Sequence, residues 1–138
     1  MSNAFRDLPP LEPPAKTSGE WTITEDWQTP VIRGVAISIR AGMRTDGASI
    51  PRIAWRLVGH PFQVPLLGPA LGHDALYAAE LVSREEADRW FLEAMRRAGI
   101  VWVKRNSIWL AVRAGGGVVW RRHTARSVAR ARYFASLL

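Results

Sequence analysis

The chain reads as one α+β domain: a small N-terminal antiparallel β-sheet packed on an antiparallel helical hairpin, followed by two basic C-terminal helices. Three observations predict this. Residues 21–24 and 35–39 alternate apolar and polar side chains, the two-residue period of a half-buried strand. Residues 68–99 hold two helical repeats with a short link at Leu81 and Val82, which returns the second helix antiparallel to the first. Residues 100–114 and 118–138 repeat their apolar side chains at helical spacing and carry a dense basic charge.

Taken in order, residues 1–19 contain Pro9, Pro10, Pro13 and Pro14 with few apolar side chains, and they read as an extended arm outside the domain at 20–138. Residues 21–24 form a strand, Glu25 and Asp26 turn, and residues 27–32 return with an interruption at Pro30. The strand at 35–39 turns Val35, Ile37 and Ile39 to the core. The run RTDGASIP then forms a rigid loop: Asp46-Gly47 is a turn dipeptide, and Pro51 holds Ile50 extended. Trp55 and Leu57 follow as core contacts, and residues 60–65 form a surface connection in which His60 is exposed.

The hairpin has marked ends. Pro69 suits the first turn of a helix reaching to Glu80, because its missing N–H is not needed there. Ser83 and Glu86 have the spacing of a capping box and start the second helix. That helix ends with Arg96 and Arg97 at the negative pole of its dipole and Gly99 as a left-handed stop. Gly115, Gly116 and Gly117 break the next helix and form a corner. They lack both the preceding strand and the following Lys-Ser or Lys-Thr of a phosphate loop. The last helix spans 118–138, with Arg122, Arg126 and Arg130 as a basic stripe beside Ala125, Val128, Ala129, Tyr133 and Leu137.

Composition bounds the function. The chain has 138 residues, enough for one core. It has no cysteine, which excludes a disulfide scaffold, a thiol nucleophile and a cysteine zinc site. No apolar run reaches the roughly 18 residues that span a bilayer, and the first residues lack a signal-peptide pattern. The expectation is synthesis in the cytoplasm, with export or packaging into a particle by another route left open. The net charge of +7 is unevenly distributed: residues 1–93 carry 9 basic against 12 acidic side chains, whereas residues 94–138 carry 10 basic and none acidic. That end is the expected surface for an anionic partner, an acidic protein ahead of anionic lipid or nucleic acid.

His73 and Tyr77 are four apart and share a face of the first hairpin helix, while Asp74 points about 100° away. Asp88 stands a little over one turn into the second helix, level with His73 once the hairpin folds. A carboxylate beside an imidazole fixes its tautomer and suits it to act as a general base. The alternative is an ordinary interhelical pair with a solvated Asp74. An open cleft over His73 favours the first reading, and a buried, satisfied His73 the second. Asp46 in the preceding loop supplies either a metal ligand or a bond to its own turn, and Ser49 a nucleophile or a substrate contact.

The string GHDALY followed by ADRWF resembles the secreted phospholipase A2 superfamily, including the phospholipase domains of parvovirus capsid proteins. Their core is HDxxY on one helix and an Asp in an AD-x-x-F setting on the next. The resemblance implies that His73 activates water, Asp74 binds calcium, Tyr77 supports the second carboxylate and Asp88 orients His73. It does not extend to cysteines or to a YGxG-type loop before the histidine. A second resemblance covers residues 43–120, through MRTDGASIPRIAW, GHDALY, SREEADRWFLEAM and AVRAGGGVVW. These runs are similar to a phage and prophage family catalogued as domain of unknown function 1353, which implies a phage or prophage origin. Two functions follow as expectations: a hydrolase-like site acting on an envelope ester, or a non-catalytic virion or tail component that docks through its Pro-rich arm and arginines.

Overall fold

The computed structural model describes Phe5 and residues 7–13, 20–45 and 65–138. Among the described residues it holds two three-stranded antiparallel sheets and four helices, which is the expected α+β class. The strands are β1 (Leu11–Glu12), β2 (Trp21–Ile23), β3 (Trp27–Gln28), β4 (Ile37–Ile39), β5 (Arg44–Thr45) and β6 (Ala135–Leu137). The helices are α1 (Leu67–Ala78), α2 (Arg84–Arg97), α3 (Trp102–Arg121) and α4 (Ala125–Phe134). The readings made for Ser49, Trp55, Leu57 and His60 lie outside the described residues, as does that for Asp46.

One sheet has the order β1-β2-β5, and the other β3-β4-β6. The alternation expected of residues 35–39 is present: Ile37 and Ile39 are fully buried, and Val35 is half-buried. Ile32 and Val35 exchange both backbone hydrogen bonds around Arg33 and Gly34, which have φ of 52° and 74°. Two consecutive positive φ values make the tight turn whose twist suits a hairpin. The described parts of residues 1–19 are packed rather than free. Leu11 pairs with Ile23 across the β1/β2 ladder, Phe5 is buried, and Trp27 Nε1 donates to the Asp7 carbonyl at 2.5 Å. Phe5, Leu8 and Leu11 supply the apolar anchors that hold this proline-rich stretch down.

The hairpin forms close to the expected bounds. Ser83 accepts from the Glu86 N–H at 3.2 Å, so the hydroxyl half of the expected capping box starts α2. Gly99, with φ of 88°, follows the last turn. Trp90 of α2 donates its indole N–H to the Val35 carbonyl at 3.1 Å and meets Phe5 edge-on, which fixes the hairpin against the strands.

The C-terminal third departs from expectation in two places. α3 runs straight through Gly115, Gly116 and Gly117. A Cβ on Gly116 would lie 2.6 Å from the Tyr77 hydroxyl oxygen, so the glycine lets α3 lie close over α1 and is not a corner. The bend comes later, at residues 122–124, where Thr124 and Ser127 form a reciprocal capping box that starts α4. That helix then ends at Phe134, and the chain enters β6 beside β4 instead of continuing as helix to Leu138. Burial of Ala135 in the sheet, with Leu137 opposite Ile37, outweighs the helical spacing of the final residues. No helix among the described residues is long and apolar enough to cross a membrane.

Candidate functional site: a buried carboxylate shared by His73, Tyr77 and two arginines

α1 and α2 bring His73 and Asp88 together as the hairpin geometry predicts. His73 Nε2 lies 2.8 Å from Asp88 Oδ1, and the Tyr77 hydroxyl donates to the same oxygen at 2.7 Å. His73 and Asp88 are 0% exposed, and Tyr77 is 1% exposed. The imidazole ring stacks on Phe91 at 4.4 Å and meets the Tyr77 ring at 4.3 Å. An aromatic wall on each side holds the ring plane, while the carboxylate sets its rotation.

The second oxygen of Asp88 carries a contact that local spacing did not predict. Arg113 Nη1, from α3, donates to Oδ2 at 2.6 Å, and Arg84 Nη1 lies 3.6 Å from the same atom. Arg84 precedes Asp88 by four residues, so its side of the helix was readable. Arg113 is 25 residues away, and the packing of α3 against the hairpin brings it here.

Burial works against the charge on Asp88. The hydrogen bonds from His73, Tyr77 and Arg113 outweigh it and hold the carboxyl below its ordinary value. Asp88 is therefore an acceptor near neutral pH, to which the His73 Nε2–H donates. Burial first, and then the neighbouring Asp88, push the Tyr77 phenol well above its usual value, so it remains a donor. Trp120 of α3 meets the Tyr77 ring edge-on at 5.2 Å and closes that side.

Asp74 is half-buried and faces away from this group, as its position in the helical turn requires. Its Oδ2 accepts from the Thr45 hydroxyl, so β5 abuts α1 at this carboxylate. Calcium takes six to eight oxygen ligands. Among the described residues no three His, Cys, Asp or Glu side chains gather as a metal site. Asp46, next in sequence to Thr45, lies outside the described residues. The described donors alone fall short of a calcium cradle.

Arg122, Arg126 and Arg130 are all exposed, but they do not form one helical stripe. α4 starts at Ala125, so Arg126 and Arg130 share a face of it, whereas Arg122 caps the end of α3.

The family model described as "Protein of unknown function (DUF1353)" matches residues 21–112, two thirds of the chain. The chain belongs to this family. The match takes in the hairpin with His73, Tyr77, Arg84, Asp88 and Phe91, and it ends one residue before Arg113; Trp120 also lies beyond it. The chain is also similar to the uncharacterized protein y4jT of Sinorhizobium fredii (strain NBRC 101917 / NGR234), at 35% identity over 85 residues. That alignment covers 60% of this chain and 25% of the relative, so the chain spans about a quarter of the relative's length. No solved structure matches.

Proposed function

We propose that this DUF1353 chain is a hydrolase-like protein of phage or prophage origin whose His73 and Asp88 form a general-base dyad resembling that of phospholipase A2. The observation that carries the reading is the shared Oδ1 of Asp88, which takes His73 Nε2 at 2.8 Å and the Tyr77 hydroxyl at 2.7 Å. Asp88 orients the ring and stabilises the imidazolium. Because His73 is fully buried, the step requires the helices to open and admit substrate; the imidazole then takes a proton from water, and the water oxygen attacks an ester carbonyl. Arg113 and Arg84 keep Asp88 ionised, and Tyr77 holds the carboxylate in place. Exclusion of bulk water strengthens each of these interactions. A calcium ion held by Asp74 and Asp46 would polarise the carbonyl.

The test is hydrolysis of a fluorogenic fatty-acyl ester and of phosphatidylglycerol by the full chain, with and without millimolar calcium. His73→Gln should lower the rate by about 10²-fold or more. Asp74→Asn should leave the calcium-free rate near wild type and abolish any rise in melting temperature that calcium produces. Full activity in a folded His73→Gln protein sinks the proposal.

A second reading is favoured by one observation, the complete burial of His73 and Asp88. In it the network is a fold-holding polar core, and the chain is a virion or tail component that docks on acidic partners through its N-terminal stretch and Arg122, Arg126 and Arg130. A wild-type protein inert toward every ester tested, with His73→Gln altering only stability, supports this second reading.

A further inference from the structure

A cleft of about 560 Å³ lies where α1, the turn before β5 and α4 meet. Met43, Ala78, Ala131 and Phe134 give it an apolar lining, and Arg44 and Arg130 border it together with one carboxylate, Glu20. Met43 is only 4% exposed, and Ala78, Ala131 and Phe134 are half-buried, so the apolar surface is recessed. Arg44 is only loosely engaged: Glu20 lies 4.0 Å away, and the Arg44 side chain is 70% exposed. Arg130 and Arg126 have no ion-pair partner among the described residues.

Arg126 and Arg130 are separated by one helical step of four residues, a rise of about 6 Å. Side chains two apart on an extended peptide are about 6.7 Å apart on one face. Carboxylates on alternate residues of an extended segment therefore match the two guanidinium groups. A recessed apolar pocket at the end of that row admits a single side chain. A flat lipid surface does not reach it, and a nucleic-acid backbone has nothing apolar to insert there.

We propose that this cleft and the adjoining face of α4 dock an extended acidic segment of a partner protein, its carboxylates on Arg126 and Arg130 and one apolar side chain in the cleft. Arg44 gives the segment a third cation once its carboxylate displaces Glu20. The site adjoins α1 at Ala78, one turn after Asp74 and away from the His73 face. Docking is thus independent of whether His73 acts as a base.

The experiment titrates the full chain into a fluorescein-labelled peptide of alternating glutamate and serine with one central leucine, read by fluorescence anisotropy. Saturable binding is expected. Arg130→Gln and Arg126→Gln should each weaken it about fivefold, whereas Lys104→Gln, which removes the same charge from exposed surface on α3, should change it by less than about twofold. Replacing the leucine with serine should also weaken binding about fivefold. Pelleting with phosphatidylglycerol and phosphatidylcholine vesicles should be the same for wild type and Arg130→Gln. Circular dichroism confirms that each variant is folded. The proposal is overturned by absence of peptide binding, by equal weakening in Lys104→Gln, by equal affinity for the serine peptide, or by vesicle capture that Arg130→Gln abolishes.

Discussion

Asp88→Asn is the sharpest perturbation of this fold, because one fully buried carboxylate satisfies groups from three helices. Its Oδ1 takes His73 and Tyr77, and its Oδ2 takes Arg113 with Arg84 nearby. An amide in the same place has one acceptor oxygen. Turned toward His73 and Tyr77, it aims its N–H groups at two guanidiniums; turned toward Arg113, it must offer donors to the phenol and the imidazole. Breaking a buried pair by removing one partner costs about 3–5 kcal/mol. The side chains of Arg84 and Arg113 are 25% and 30% exposed and can rehydrate, so the low end applies, about 3 kcal/mol. Tyr77→Phe is the internal comparison. It removes a single donor from an oxygen that keeps His73, and should cost about 1 kcal/mol. Urea unfolding followed by tryptophan fluorescence measures both. At roughly 3–4 °C per kcal/mol for a chain of this size, the Asn variant should melt about 10 °C below wild type. An Asn variant within about 0.5 kcal/mol of wild type, or no worse than Tyr77→Phe, refutes the claim that the carboxylate organises the three helices.

Acid should unfold the protein through the same group. The folded-state value of Asp88 is depressed, so its contribution is present above the unfolded value, about 3.9, and is lost as pH falls through the lower folded value. Stability measured from pH 6 downward should drop below about pH 4, and that drop should be smaller in Asp88→Asn. The glycine run offers an opposed pair of substitutions. Gly116→Ala places a Cβ 2.6 Å from the Tyr77 hydroxyl oxygen and should destabilise by about 1–3 kcal/mol. At Gly117 a Cβ meets Arg84 Cζ at an ordinary 3.8 Å, and the change to Ala should stabilise by about 1 kcal/mol in the same urea assay. Thr124→Ala removes the side-chain half of the α4 capping box and should cost about 1 kcal/mol; an unchanged unfolding midpoint would place the start of that helix under tertiary rather than local control.

Local chemistry was readable where a short stretch determines its own conformation. Ser83 and Glu86 announce the start of α2, Gly99 its end, and the period-two residues at 35–39 their strand. The relation between His73, Tyr77 and Asp88 was readable for a related reason. A two-helix hairpin with a short link has few ways to close, and helical spacing then sets which side chains meet. Misreadings arose where a remote partner decides. The three glycines have low helix propensity, and alone they argue for a break. Close packing on Tyr77 makes the absent side chain an advantage, and the helix continues. The final residues repeat at helical spacing, yet an open edge on β4 draws 135–137 into a strand. Phe5 and Leu11 are two apolar residues in a proline-rich stretch, and nothing local states that a groove beside Trp27 and Trp90 awaits them.

The course of α3 through the glycines also shapes the site. A corner at residues 115–117 would turn Trp120 away from Tyr77 and free Arg113 from the packing that holds it over Asp88. The continuous α3 instead brings a second cation to the carboxylate and an aromatic edge to the phenol in one stroke. The proton on His73 Nε2 is therefore set by a residue on each of three helices, and the glycine that permits this sits in the third. Displacing α3 by a single Cβ at Gly116 should loosen Arg113 from Asp88 and let the carboxyl's lowered pKa rise back toward its ordinary range. Measured by carboxyl-carbon NMR, an unshifted Asp88 titration in Gly116→Ala would detach the helix packing from the electrostatics of the dyad.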